Sequence, residues 1–369
     1  MELEQSHYEQ AGVLMTKLNL GAIVINHKST ETVIKAIDSL FQQEINLSEI
    51  IVVDDYSQDE GPSQIRKLFP EIQVIETSEN VGLSRARNIG LKNISTDFVL
   101  FIDDDIYLAK DALYKMVLAM GENPATIVCP RIILHPKDDT IQCDGALIHF
   151  AGTLALRHSF QSLWQYPPVR SDVMAFTGAC LLFNRKALSA LGGFDEDYVF
   201  YFEDLELSYR LRALGYRIIC EEAAVAMHEH GEGTAHLSFR GAGTYPARRA
   251  YLNLRNRWRT IWIHYQIRTL MLLAPALFIY EIAAFLECIR RGWVLLWFKA
   301  LFSLLGKLKE IRTRRSRWKA LRKVSDSAIL NGGPLPFAVG FVSGRIEKLL
   351  VQWLNNSLNA YWILAKRWL

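Results

Sequence analysis

Three consecutive carboxylates, Asp103-Asp104-Asp105, close the apolar run Phe98–Ile102. A hard divalent cation takes oxygen ligands, and Mg2+ or Mn2+ commonly uses one or two carboxylates together with phosphate oxygens. At a strand end, a DxD spacing offers one carboxylate to such an ion and another to a ribose hydroxyl. The plain alternative is a solvated acidic turn before a helix near Asp111; the position behind a buried strand favours the metal. Asp54-Asp55 follow Ile50–Val53 in the same manner. A carboxylate there accepts a base N–H, or closes an Asx turn with Ser57 and Asp59. In Asn80–Gly90, NVGLSRARNIG, Arg85 and Arg87 fall at the start of a helix. Helix N-termini and guanidinium forks suit a diphosphate, although a capped helix with a solvated basic face has the same pattern.

Residues 194–210, FDEDYVFYFEDLELSYR, are rich in acids and aromatics. Glu203 and Asp204 open a helical pattern there. Such acids complement a helix dipole, and a carboxylate at a cleft also suits a general base for an acceptor hydroxyl. Tyr198, Phe200 and Tyr201 offer faces for a sugar ring. His228 and His230 follow the apolar run Ala223–Met227, on a glycine-rich stretch; a histidine at a strand end is a potential metal ligand.

The elements that must position these residues alternate. Residues 20–25 read as a buried strand, Glu31–Gln43 as an amphipathic helix, and Ile50–Val53, Ile72–Ile75 and Phe98–Ile102 as further strands, with a helix over Ser84–Lys92. Strands alternating with helices imply a mostly parallel sheet. Ligands bind beyond the carboxyl ends of such strands, where Asn26-His27-Lys28, Asp54-Asp55 and Asp103-Asp104-Asp105 all fall. The acids therefore gather at one sheet edge. No GxGxxG follows the first strand and no P-loop motif occurs.

With 369 residues, half of them hydrophobic, the chain is long enough for a large α/β domain and an appendage. A net charge of only +3 gives no sign of a nucleic-acid partner. Cys129, Cys143, Cys180, Cys220 and Cys288 show no metal-ligand spacing and read as reduced, buried thiols. The polar start, MELEQSHYEQ, lacks a signal-peptide pattern, so export is not expected. In the last third, Thr269–Glu287 is apolar but broken by Pro275 and Glu281, and a basic cluster spans residues 312–323. Trp353, Tyr361, Trp362 and Trp368 mix with Lys348, Lys366 and Arg367. These features suit an interfacial attachment to anionic lipid, or else packing on the catalytic domain or a second subunit.

Taken in order, the segments resemble family 2 of the inverting glycosyltransferases. IVINHKS is similar to the family's first-strand motif, VVDDYSQDE to VVDNxSxD, NVGLSRARNIG to NxGxxxARNxG and FIDDDI to the DxD strand. TGACLLFNRKALSALGGFDEDYVFYFEDLELSYRLRALGYRI resembles the acceptor-side block with its ED motif, and MHEHGEGT the histidine loop that follows. The likeness runs over roughly residues 20–260. It implies a GT-A nucleotide-diphospho-sugar transferase fold over 19–265, after an extension over 1–18 and before a helical, basic and aromatic region over 266–369.

The implied reaction is displacement with inversion, dependent on Mg2+ or Mn2+, from a nucleotide-diphospho-sugar to a saccharide or lipid-linked acceptor. Carried onto this chain, Asp54 binds the base, Asp103 the ribose, Asp105 the metal with Asp103 beside it, and Asp204 serves as base with Glu203 adjacent. His228 assists the metal or diphosphate, with His230 as its alternative. Asn26, His27, Asp55, Asn80, Arg85, Arg87 and Asp104 complete the expected nucleotide-sugar site. The family's Tyr-Asn in the first motif is replaced by His27-Lys28, which puts base stacking there in doubt. Leu254 stands where QxxRW of processive synthases has Gln, favouring single addition. Envelope polysaccharide or glycolipid synthesis, a bacterial, rhamnosyltransferase-like donor preference, and a place in the cytoplasm or on the cytoplasmic face of the membrane are the accompanying expectations. The alternatives are a sugar-nucleotide nucleotidyltransferase, against which INHKSTETV lacks the glycine-rich loop, and a non-catalytic nucleotide-sugar binder.

Overall fold

A computed structural model describes residues 19–121, 123, 126–229, 245–337, 341–342 and 344–369. The first elements are β1 (Leu20–Asn26), α1 (Thr30–Phe41), β2 (Glu49–Asp54), α2 (Gly61–Leu68), β3 (Gln73–Glu76), α3 (Leu83–Asn93) and β4 (Phe98–Asp103). Next come β5 (Ile106–Leu108), α4 (Ala112–Met120), β6 (Thr126–His135), β7 (Ile141–Cys143), β8 (Ala146–His149), β9 (Thr153–Leu156), β10 (Arg170–Asp172) and β11 (Cys180–Asn184). Then follow α5 (Glu203–Ala213), β12 (Arg217–Glu229), α6 (Ala247–His264), α7 (Ile267–Arg290), α8 (Val294–Leu305), α9 (Leu308–Leu321), β13 (Leu330–Asn331) and α10 (Arg345–Ala365).

The chain divides into two compact units. The first comprises Met1–Gly145, Arg157–Val199 and Tyr216–Glu229. Its sheet runs β10-β12-β6-β11-β4-β1-β2-β3, with β5 against β12 and β7 against β6. Strands β3, β2, β1 and β4 are parallel neighbours, as the alternation of apolar strands and amphipathic helices requires. Strand β11 is antiparallel to β4 and β6, while β12 runs parallel to β6. The sheet is therefore mixed but mostly parallel. Burial on both faces explains the continuous apolar runs: Ile23, Val24, Ile51, Val52, Leu100 and Phe101 are all buried. Each such side chain contributes about 1.5–3 kcal/mol.

The second unit comprises Ala146–Leu156, Phe200–Gly215 and His230–Leu369. It holds α5–α10 and a small sheet in the order β13-β8-β9. The basic stretch 312–323 is not all available to a surface partner. Arg315 donates to the Trp262 and Tyr265 carbonyl oxygens at the end of α6, and Arg322 pairs with buried Asp326 and donates to the His264 carbonyl. These two arginines satisfy helix-end acceptors. All five cysteines are free and buried; burial pushes the Cys143 and Cys180 thiols far up.

Candidate active site

In the first unit the carboxyl ends of β1, β2 and β4 lie side by side, with Asn26 opposite Asp54 and Ile25 opposite Asp103. Asn26 is fully buried and its amide donates to Asp54 Oδ2 at 2.6 Å. Ser57 donates to the same carboxylate through its backbone N–H at 2.9 Å and its hydroxyl at 2.6 Å. Asp54, placed on the base by the resemblance, is thus a buried Asx-turn acceptor that binds the β2 loop to β1. Asp55 accepts from the backbone N–H groups of Val81 at 2.7 Å and Gly82 at 2.9 Å, fixing the chain where α3 begins. Gly82 has φ +83°, and a Cβ there would lie 2.7 Å from the Val199 carbonyl oxygen, so the turn requires glycine. His27 donates from Nδ1 to the Asp55 carbonyl oxygen at 2.7 Å, and the Asn80 amide reaches that oxygen at 3.5 Å. Lys28, Tyr56 and Gln58 hold left-handed φ angles of 57–61° in these loops. Such backbone strain concentrates where a site must be shaped.

Arg85 and Arg87 diverge. Arg85 is exposed, 3.9 Å from Glu79 and 4.0 Å from Glu196. Arg87 is buried: it donates to Asp103 Oδ1 and to the Gly178 carbonyl, both at 2.8 Å, and lies over the Phe194 ring. Gly178 leaves room for the guanidinium, which a Cβ there would approach within 2.7 Å. Arg87, expected at the diphosphate, is thus a buried partner that holds Asp103. No local pattern signals this, since Gly178 and Phe194 come from distant segments.

The three aspartates crowd one another. Burial pushes the Asp103 carboxyl above the usual range, which Arg87 counteracts and Asp105 reinforces. Asp104 is pushed well above it, by burial first and then by Asp105, although the His27 N–H donates to Asp104 Oδ2 at 3.1 Å. His228 lies inside β12, paired with Ile106 of β5, rather than on a loop. Its Nδ1 is 2.7 Å from Gln142 Oε1 and its Nε2 is 3.0 Å from Asp105 Oδ2. The Gln142 oxygen selects the tautomer protonated at Nδ1. Both ring nitrogens thus face oxygen atoms, the Nε2 that of the Asp105 carboxylate. Metal-bound histidines are typically oriented this way, by an acceptor on the far nitrogen. The residues present therefore fit a divalent cation held by Asp105 and His228, with Asp103 next to them. His230 lies outside the described residues.

A second acidic cluster in this unit escaped the sequence reading. Arg131 donates to Asp144 through Nε and Nη2, both at 2.7 Å, and Nη2 lies 3.1 Å from Glu222. Arg157 is 3.5 Å from Glu222, and His158 2.8 Å from Asp144. Asp144, His158 and Glu222 are close enough to share an ion. However, the Arg131 fork already occupies both Asp144 oxygens.

In the second unit, Glu203 and Asp204 open α5 after Tyr201 and Phe202, whose φ angles are 64° and 69°. Two consecutive non-glycine residues in this region are costly. The Asn256 amide holds them, donating to the carbonyls of Phe200 at 3.0 Å and Tyr201 at 2.7 Å. Glu203 is buried; the Asp204 carboxylate accepts the Leu205 N–H at 2.7 Å. Farther along α5, buried Glu206 pairs with Arg210 at 2.9 Å and His264 at 3.0 Å. Burial opposes its charge, but Arg210 and His264 prevail and hold it down at about 2. Tyr209 donates to Asp326, and the Lys323 N–H donates to the Ala213 carbonyl at 2.8 Å. Helix α5 is thus fastened along its length to the chain beyond residue 260.

Together, the parallel strand order, the strand-end acids and the C-terminal helices define the GT-A class of fold. The structure of GalNAc-T7 with UDP, GalNAc and Mn2+ has the same fold, at a TM-score of 0.55 and 15% identity over 68% of this chain and 49% of that one. Residues 22–192 match the model described as glycosyl transferase family 2. The poly-beta-1,6-N-acetyl-D-glucosamine synthase of Staphylococcus aureus (strain COL) is 26% identical over 204 residues, 54% of this chain and 47% of the relative. The low-salt glycan biosynthesis hexosyltransferase Agl10 of Haloferax volcanii is 24% identical over 250 residues, 65% of this chain and 74% of that protein. The chain thus spans about half the length of the staphylococcal relative.

Proposed function

We propose that the protein transfers a sugar from a nucleotide-diphospho-sugar to an acceptor hydroxyl, with inversion and with the help of Mg2+ or Mn2+. The observation that carries this reading is the Asp105–His228 pair, beyond the carboxyl end of β4, in a chain whose residues 22–192 match the family 2 model. Residues 19–265 would form the transferase domain. Asp105 and His228 would hold the cation, with Asp103 beside them. A bound cation would offset charge growing on the leaving diphosphate. Asp204 takes the acceptor proton; the acceptor oxygen attacks the anomeric carbon as its bond to the diphosphate oxygen breaks, and the nucleoside diphosphate departs. Arg87 keeps Asp103 in place from its buried position. Arg85, exposed near the start of α3, remains available to the diphosphate. Asp54 and Asp55 act by holding the loops that frame the nucleotide.

The names of the relatives support a role in polysaccharide or glycan synthesis; the acceptor proposed is a saccharide or lipid-linked one of the cell envelope. The test is nucleoside diphosphate release from a panel of UDP-, GDP- and dTDP-sugars, a rhamnosyl donor included, with Mn2+, with Mg2+ and with chelator. Release from one donor class that chelator abolishes is expected. Absence of release from every donor in the presence of metal would overturn the reading.

A further inference from the structure

Helix α7 is the one described helix long and apolar enough to cross a membrane, and little of it is buried. How it is held argues against crossing. Glu281, midway along it, pairs with Arg257 of α6 and accepts the Trp258 indole N–H at 2.9 Å. One face of α7 is thereby fastened to a helix that also carries Arg248, Arg249, Arg255 and Arg259. A crossing α7 would draw these charges into hydrocarbon.

The other face is apolar and open. Met271, Phe278, Ile282, Leu286 and Ile289 recur at helical spacing and are all exposed, Met271 and Phe278 at 66%. Between Arg268 and Arg290 the charged side chains of α7, Glu281 and Glu287, are half-buried and ion-paired with arginines. Helix α8 packs on α7 and shows the same pattern: Leu295, Phe298, Phe302 and Leu305 are exposed along one stripe. Its 12 residues are too few to span a bilayer, which needs about 20. Helix α10 packs on α7 too, with Tyr361 donating to the Leu272 carbonyl at 2.7 Å, and exposes Ile346, Leu350, Trp353 and Leu364. Three neighbouring helices that each leave an apolar stripe uncovered mark an interaction surface.

Charge identifies the occupant. Residues 266–369 contain five acidic side chains, Glu281, Glu287, Glu310, Asp326 and Glu347, and none is exposed. Each is ion-paired with an arginine of this unit. The fully exposed charges of this region are therefore basic, among them Arg268, Lys299, Lys307, Lys348 and Arg367. An apolar face with a predominantly cationic surround complements an anionic bilayer surface.

We propose that α7, α8 and α10 lie in the plane of an anionic membrane. Their apolar stripes sit at the acyl boundary and their lysines and arginines at the headgroups. The inference deepens the transferase reading by naming the surface on which a lipid-linked acceptor would be met. Vesicle binding needs neither donor nor metal, so its failure is distinct from failure of that reading. The test is flotation of the full chain with phosphatidylcholine vesicles, with and without phosphatidylglycerol. The comparison is the Ile282→Glu/Phe302→Glu double variant, whose positions are exposed and whose fold is checked by circular dichroism. The wild type is expected to float with the anionic vesicles and to be released by alkaline carbonate, and the variant to bind at least about tenfold more weakly. No flotation, equal flotation of the variant, or retention after carbonate would each overturn the proposal. So would a dimer in solution that the double variant dissociates without any vesicle binding, which would assign the face to a second copy.

Discussion

Two acidic clusters lie in the first unit, and they differ in how their charge is met. Asp144 and Glu222 are gripped by Arg131, with Arg157 and His158 close by, and Arg131 satisfies both oxygens of Asp144. In Asp103-Asp104-Asp105, by contrast, burial first and then the neighbouring carboxylates push the Asp103 and Asp104 carboxyls upward, Arg87 pairs with Asp103, and Asp105 faces a histidine turned by Gln142. Both clusters hold carboxylates and a histidine near one another. A guanidinium fork makes the first a structural tie, whereas the second is the one proposed to take a cation. Counting acids would not separate them; the partner of each oxygen does.

The largest expected effect lies at the acid assigned to proton removal. Asp204→Asn should lower transfer roughly 10²–10⁴-fold while donor binding, measured by calorimetry, is unchanged. An active Asp204→Asn beside an inactive Glu203→Gln would exchange their roles. Next, Asp144→Asn should cost about 3–5 kcal/mol in denaturant unfolding, because it leaves Arg131 buried without its main partner. Loss of metal response in folded Asp144→Asn protein, with stability intact, would erase the distinction between the clusters.

Glu206 extends the comparison to a third, fully compensated carboxylate. Its folded value lies below the ordinary 4.5, at about 2. Its stabilising contribution is therefore complete above about pH 4.5 and is lost as the pH falls toward 2, amounting to about 3 kcal/mol. Wild type and Glu206→Gln should differ in unfolding free energy at neutral pH and converge in acid; a difference independent of pH would contradict the pairing. Smallest is Gln142→Ala, which frees the His228 ring and should weaken Mn2+ affinity about 10–100-fold without changing the melting temperature. Unaltered affinity would remove Gln142 from the metal site.

Strand ends were legible in the sequence because apolar runs stop abruptly at Asn26, Asp54 and Asp103, and the helices over 30–41 and 83–93 fall within a residue or two of their periodic patterns. The chemistry of individual side chains was less so. Arg87 reads as a helix-start cation, and only the approach of Gly178 and Phe194, about a hundred residues on, buries it. Arg131, Asp144 and Glu222 carry no motif at all; the pairing of β6 with β12 brings two of them together across 91 positions. His228 reads as a loop residue because glycines follow it, yet β5 extends β12 through it. Long-range pairing, not local pattern, decides these cases.

The most direct measurement is Mn2+ binding, followed by paramagnetic resonance in the presence of UDP, for wild type, Asp105→Ala and His158→Ala. Both variants change a half-exposed side chain at the edge of its cluster, so both are expected to fold. Wild type and His158→Ala should bind the ion alike, and Asp105→Ala should lose it. Retention by Asp105→Ala with loss in His158→Ala would place the cation in the Arg131 cluster and contradict the assignment of the strand-end aspartates.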